Sequence, residues 1–299
     1  MANAREIQSR MKSIKDTMKI TNAMYMISSS KLKKAKKTLA DTEPYFYAMQ
    51  GEISRILRHV PEMEHNRFFD QRTEVAADKR KVGYIVVTAD KGLAGSYNHN
   101  IFKEVEDCMC NNPNTKLYVV GEMGRHYFQK KGLEIAHQFH YTAQNPTVGR
   151  ARSIADVILG AFLDKELDEV VMIYTRMVNS MQVEAERVKL LPLATNDFSH
   201  SKIPAGVRQE ELVLSPSADD VINNIIPNYV QGFIYGALVE SFSSEQNLRM
   251  MAMQAATNSA QAMLHDLSIQ YNRVRQAAIT QEITEVVAGA KSQKKKKKR

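Results

Sequence analysis

Nine positions near the end of the chain, Met250, Met253, Thr257, Ala260, Leu264, Leu267, Tyr271, Val274 and Ala278, follow one another at alternating spacings of three and four. That is a heptad seam, the pattern of a helix that winds around a partner helix. No proline follows Pro227, so no break is forced. The spacing predicts one very long helix from about Ser217 to Ala290. At a rise of 1.5 Å per residue, the part after Pro227 alone would reach roughly 90 Å. Such a helix is out of proportion to one globular core and reads as a shaft.

The N-terminal end repeats the pattern. Ile7, Met11, Ile14, Met18, Thr21, Tyr25, Ser28, Leu32, Ala35 and Leu39 step in alternating fours and threes. This second helix is expected to end or kink before Pro44, because the residue ahead of a proline avoids the helical region, and to resume from Tyr45 to about Val60. Two heptad helices at opposite ends of one chain predict an antiparallel coiled coil with the rest inserted at one end. Its seam is slim, since Thr21, Ser28, Ala35, Thr257 and Ala260 each bury little area.

Between the helices the pattern changes. Residues 82–88 (VGYIVVT), 116–120 (KLYVV), 133–139 and 170–175 (VVMIYT) read as buried strands, with a further strand at 183–191. Helical stretches at about 98–110, 124–131 and 147–163 separate the first four. Alternating strands and helices predict a Rossmann-like, mostly parallel α/β domain. The expected divisions are a coiled-coil helix at 1–60, the α/β domain at 80–195, a linker or foot loop at 196–216, the second coiled-coil helix at 217–290 and a basic disordered tail at 291–299.

Charge narrows the function. The net +8 is concentrated at one end: residues 291–299 (KSQKKKKKR) hold seven basic groups and no acid, leaving +1 on residues 1–290. A nearly neutral body with a basic tail is not the profile of a nucleic-acid binder. Residues 5–37 carry ten basic groups against two acids, while residues 239–290 carry three against five. Arg5, Lys12 and Lys19 repeat every seven residues off the seam. The pattern reads either as a solvated face or as a basic surface meeting an acidic protein partner. Cys108 and Cys110, two apart on a predicted helix, point in different directions and are expected to stay thiols, as in a reducing compartment. No signal peptide pattern and no apolar run long enough to span a bilayer is evident, so membrane association is expected only through partners.

Candidate chemistry is sparse. The first strand runs into TADKGLAGSYN (88–98), but Gly92 and Gly95 lack the third glycine of a dinucleotide fingerprint, and no GxxxxGK[ST] phosphate loop occurs. A tight turn or interface loop is the better reading, and the same holds for Gly121 and Gly124 in GEMG. His137 and His140, three apart on a predicted strand, project to opposite faces and cannot chelate together. No catalytic constellation, cofactor site or metal site is recognisable. Two alternatives start from these residues: a coiled-coil nucleic-acid binder using the basic face and tail, and a nucleotide-dependent enzyme built on the α/β domain.

Residues 7–32 (IQSRMKSIKDTMKITNAMYMISSSKL) and 238–290 (LVESFSSEQNLRMMAMQAATNSAQAMLHDLSIQYNRVRQAAITQEITEVVAGA) resemble the gamma subunit of the rotary F-type ATP synthase of bacteria, and TADKGLAGSYN resembles that family's loop after the first strand. The resemblance implies a central stalk: a non-catalytic rotor turning within a hexamer of alpha and beta subunits, with the α/β domain near the epsilon subunit and the c ring. It implies no cofactor and no nucleic acid, and a peripheral position on the cytoplasmic face of the bacterial cell membrane. The ion site would lie in other subunits, so proton and sodium coupling are equally compatible.

Residue by residue, the resemblance makes Lys19, Met24, Arg249, Arg275 and Gln276 contacts to beta subunits, with Arg273 and Thr280 close by. Asp90, Gly92, Gly95 and Asn98 keep the turn of the lower domain, and Leu212, Val213, Leu214 and Ser215 align with the segment approaching the c ring. Ala94, Ser96 and Ser215 depart from frequent family residues, and the KSQKKKKKR tail runs past the usual end near Ala290. That tail reads either as a solvated disordered end or, reaching beyond the shaft's tip, as touching acidic groups at the top of the alpha–beta ring and modulating hydrolysis.

Overall fold

The structure is a computed structural model describing residues 4–76, 79–111, 114–139, 143–179, 182–198 and 214–296. In order, the elements are α1 (Ala4–His59), β1 (Val82–Val87), α2 (Tyr97–Asn111), β2 (Thr115–Val120), α3 (Glu122–Lys130), β3 (Ile135–Phe139), α4 (Val148–Leu163), β4 (Glu169–Met177), β5 (Val183–Leu191) and α5 (Ala218–Lys296), with 3₁₀ turns at Pro61–His65 and Thr195–Phe198. Two compact units result: Ser28–Arg249, and Met1–Ile27 together with Met250–Arg299.

The larger unit is built on a five-stranded sheet of order β3-β2-β1-β4-β5. The first four strands are parallel and β5 returns antiparallel along β4. Strand alternation divides the core. Tyr84, Val86, Leu117, Val119, Val171 and Ile173 pack with α2 and α3 through Ile101, Val105 and Phe128. Ile85, Val87, Tyr118, Val120, Met172 and Tyr174 share a second core with Ile154, Ile158 and Phe162 of α4 and with Ile222, Ile226, Val230 and Ile234 of α5. Residues of α1 and α5 complete this second core: Ile53, Ile56 and Leu238 are buried within it. Cys108 is buried, Cys110 is exposed and both are free thiols.

Neither proline ends its helix. α1 runs through Pro44 without interruption and α5 through Pro227, although an interior proline costs a hydrogen bond and a clash. Packing beside Pro44 offsets that cost. Phe46 stacks on Tyr229 with ring centroids 5.2 Å apart and tilts against Phe233 at 6.2 Å. Aromatic pairs of this kind are worth about 1 kcal/mol each beyond their buried area. Ser217 caps α5: its hydroxyl accepts from the Asp220 amide at 3.1 Å and donates to the Asp220 carboxylate at 2.7 Å, with Asp219 and Asp220 in the positive first turn.

The smaller unit is the antiparallel helix pair. Thr21 and Thr257 meet across it, hydroxyl to hydroxyl, at 2.8 Å. Ile7, Met11, Ile14, Met18, Thr21 and Tyr25, with Met24 beside them, are the covered positions of their stretch, and Met253, Thr257, Ala260, Leu264, Leu267, Tyr271 and Val274 answer them. Ala278 does not: it is exposed. The Thr21–Thr257 register brings Ala4, the first described residue of α1, level with Val274, so among the described residues nothing of α1 opposes the seam beyond it. The helix itself is described as far as Lys296. Lysine is a good helix former and no breaker intervenes after Gly289.

Candidate functional site

The turn after β1 is held from every side. The Thr88 hydroxyl donates to the Val120 carbonyl at 2.8 Å and accepts from the Gly124 amide at 3.0 Å. The Asn98 side-chain oxygen takes the Ala89 amide at 3.0 Å, and the Asp90 carboxylate takes the Glu122 amide at 3.3 Å. Gly95 has φ +58 and Leu93, though not a glycine, has φ +65. Gly92 meets nothing within 4 Å of where a side chain would start, so no steric need fixes it. The glycines of GEMG do have a steric reason. A Cβ on Gly121, at φ +98, would lie 2.2 Å from the Thr88 carbonyl, and one on Gly124 would lie 2.7 Å from the Thr88 hydroxyl.

Between β1 and β4 the connections leave in opposite directions, and the carboxyl ends of such strands form the crevice where open α/β sheets take ligands. Here α5 fills it. Tyr97, buried, shares a 2.7 Å hydrogen bond with the Ser241 hydroxyl, which also accepts from the Thr175 amide at 3.4 Å. The Ser244 hydroxyl donates to the Thr175 carbonyl at 3.2 Å. The Arg249 guanidinium donates to the Gly92 carbonyl at 2.6 Å, to the Lys91 carbonyl at 3.4 Å and to the Glu245 carboxylate. Burial pushes the Glu245 and Asp90 carboxyls above the usual carboxylate range, each opposed by its own hydrogen bonds. Burial likewise pushes the Tyr97 phenol up.

The partner contacts implied by resemblance divide into three groups. Lys19 is exposed and pairs with Asp16 at 3.0 Å, a surface pair worth little. Met24 is half-buried, and Arg275 and Gln276 are exposed, with Thr280 donating to the Gln276 carbonyl at 2.9 Å. Arg249 differs: it is 8% exposed and its guanidinium is committed to Gly92, Lys91 and Glu245, which the heptad pattern could not reveal. Leu214 is half-buried against the core and Ser215 is exposed, whereas Leu212, Val213 and His140 lie outside the described residues. His137 is exposed, and no group of three metal-ligating side chains occurs among the described residues.

On the smaller unit, Arg5, Gln8, Ser9, Met11, Lys12 and Lys15 of α1 and Tyr271 of α5 line a surface groove of about 600 Å³. Three of its seven lining residues are cations, which suits an acidic visitor. Beyond the seam, Ile279, Ile283, Val286 and Val287 are 46–71% exposed. Among the described residues no helix is long and apolar enough to cross a membrane.

A family model described as ATP synthase matches residues 3–292. An ATP synthase gamma chain of Ruminiclostridium cellulolyticum is 46% identical over 295 residues, covering 96% of this chain and 98% of the relative. A sodium ion specific ATP synthase gamma chain of Acetobacterium woodii is 36% identical, covering 97% and 98%. Among solved structures, a chain of the central stalk/c-ring of the Tetrahymena thermophila mitochondrial ATP synthase is 27% identical with a TM-score of 0.58, covering 79% of this chain and 99% of its own length. A chain of the Euglena gracilis mitochondrial ATP synthase shares the fold at 15% identity and a TM-score of 0.68, covering 99% and 96%. The nucleic-acid-binding and nucleotide-enzyme alternatives find no support in these likenesses.

Proposed function

The chain belongs to the family of ATP synthase gamma chains, and on that footing we propose that it is the non-catalytic central-stalk rotor subunit of such a complex. It couples ion flow through a c ring to conformational change at catalytic sites held by other subunits. Its partners are the alpha and beta subunits, the epsilon subunit and the c ring, and it lies peripherally on the cytoplasmic face of a bacterial cell membrane.

One observation supports this most directly. The helix pair buries a seam and leaves large apolar side chains uncovered on its outer faces: Ile20, Met26 and Ile27 are 56–62% exposed, and residues 275–291 of α5 are all exposed, Ile279, Ile283, Val286 and Val287 among them. A slim two-helix rod with uncovered aliphatics around it suits a sleeve of other subunits, not solvent. Cations distributed along α1 give that sleeve's acidic groups something to meet at one orientation and lose at the next. A rotor acts only through such differential contacts with alternative states of its neighbours. Lys19, Met24, Arg275 and Gln276 are assigned to beta-subunit contact, and Leu212 to Ser215 to the foot near the c ring.

The experiment is assembly. The chain carrying Ile283→Asp and Val286→Asp should fold as the wild type does, because both residues are exposed, yet enter a complex with alpha and beta subunits at least about tenfold less readily. Wild-type assembly by the doubly substituted chain would remove the sleeve from this reading.

A further inference from the structure

Ser241, Ser244, Glu245, Leu248 and Arg249 recur at the spacings of one helix face, so α5 turns a single stripe into the crevice at the ends of β1 and β4. The stripe is polar where a plain packing contact would be apolar. Ser241 and Ser244 are 0% exposed, Glu245 2% and Arg249 8%. Desolvating such groups costs free energy that a row of leucines would not incur, so hydrophobic docking does not account for them. α5 also packs Ile222, Ile226, Val230, Ile234 and Leu238 into the sheet's core; what the polar bonds add to that contact is direction, because a hydrogen bond weakens steeply once its geometry is displaced.

We propose that this stripe is the torsional joint of the molecule, through which turning of the α/β sheet is imposed on α5; the proposal rests on the rotor reading above. The bonds fall at successive levels along the helix. Tyr97 and the Thr175 amide hold Ser241, the Thr175 carbonyl holds Ser244, and the Gly92 and Lys91 carbonyls hold Arg249. Each receiving group is itself braced. Thr175 lies within β4, in register against β5 through Ala185. The turn carrying Lys91 and Gly92 is tied to β2 and α3 through Thr88 and Asp90, and to α2 through Asn98. Force applied to the sheet reaches α5 along hydrogen bonds, and Glu245, one helical turn before Arg249, fixes the guanidinium that closes the set. Arg249, Ser241, Ser244 and Tyr97 are positioning residues in this scheme. They touch no substrate and act through the shape they impose on the rotor.

The test uses the full chain, alone and in the assembled membrane complex. Tyr97→Phe, Ser241→Ala and Ser244→Ala together remove the directional bonds while nearly preserving volume. Arg249→Lys keeps a cation beside Glu245 but loses the fork that spans two carbonyls. In the lone chain, amide exchange of residues 88–98 should rise about tenfold in each variant while β2 and β3 stay protected. In the complex, ions transported per ATP hydrolysed should fall at least about threefold while hydrolysis by the triple variant stays within about twofold of wild type. Transport that falls only in step with hydrolysis, or an unchanged transport ratio in both variants, overturns the joint. Failure of the wild-type chain to enter the complex would sink the rotor reading instead.

Discussion

Replacing Arg249 by Met isolates the physics of the crevice. The side chains of Arg249 and Glu245 are 10% and 2% exposed. Removing one partner of a buried ion pair leaves an uncompensated charge, and that costs about 3–5 kcal/mol. Glu245 already sits above its ordinary range because burial raises it, with the Arg249 hydrogen bond and charge pulling the other way; without Arg249 it rises further. A carboxyl whose folded-state affinity for protons exceeds its unfolded one contributes stability that is intact below the unfolded value, near 4.5, and lost as pH rises through the folded value. The deficit of Arg249→Met should therefore be about 3 kcal/mol at pH 8 and shrink steadily toward pH 5 as Glu245 takes up its proton. Adding Glu245→Leu should restore roughly 2 kcal/mol or more at pH 8, making the pair strongly non-additive. Urea unfolding of the lone chain, followed by circular dichroism at several pH values, measures both. A deficit under about 1 kcal/mol, flat with pH and additive with Glu245→Leu, refutes the reasoning.

Other positions give independent checks. Gly121→Ala places a Cβ 2.2 Å from the Thr88 carbonyl at φ +98, and should cost about 3 kcal/mol or more by the same unfolding measurement. Leu93→Gly relieves a left-handed conformation in a side chain that is 66% exposed, and should leave stability unchanged or raise it by up to about 1 kcal/mol. Burial pushes the Tyr84 and Tyr229 phenols up to about 12 and raises those of Tyr97 and Tyr174 as well. Spectrophotometric titration should show these four ionising only above the ordinary tyrosine range, and stability should fall as pH rises past about 10, where the unfolded phenols lose their protons first.

The heptad seams were legible because burial along a coiled coil follows spacing alone, and Ile7 to Leu39 came out covered position by position. The strands were legible from continuous apolar runs bounded by turn residues. What spacing could not carry was anything set by tertiary partners. Pro44 stayed helical because Phe46 and its aromatic neighbours hold the backbone beside it. The described seam reaches Val274, level with Ala4, where the description of α1 begins. Arg249 stands one residue before a seam methionine, and spacing alone gives no hint that carbonyls of a turn some 157 residues earlier bind its guanidinium. Gly121 and Gly124 read as a generic turn, and only the packing against Thr88 explains them.

Rotation itself is the most direct measurement. With the alpha and beta subunits fixed to a surface and a bead attached through the exposed thiol of Cys110, addition of ATP should turn the bead continuously in one direction. A complex that hydrolyses ATP at its full rate while the bead keeps one fixed angle would contradict the account.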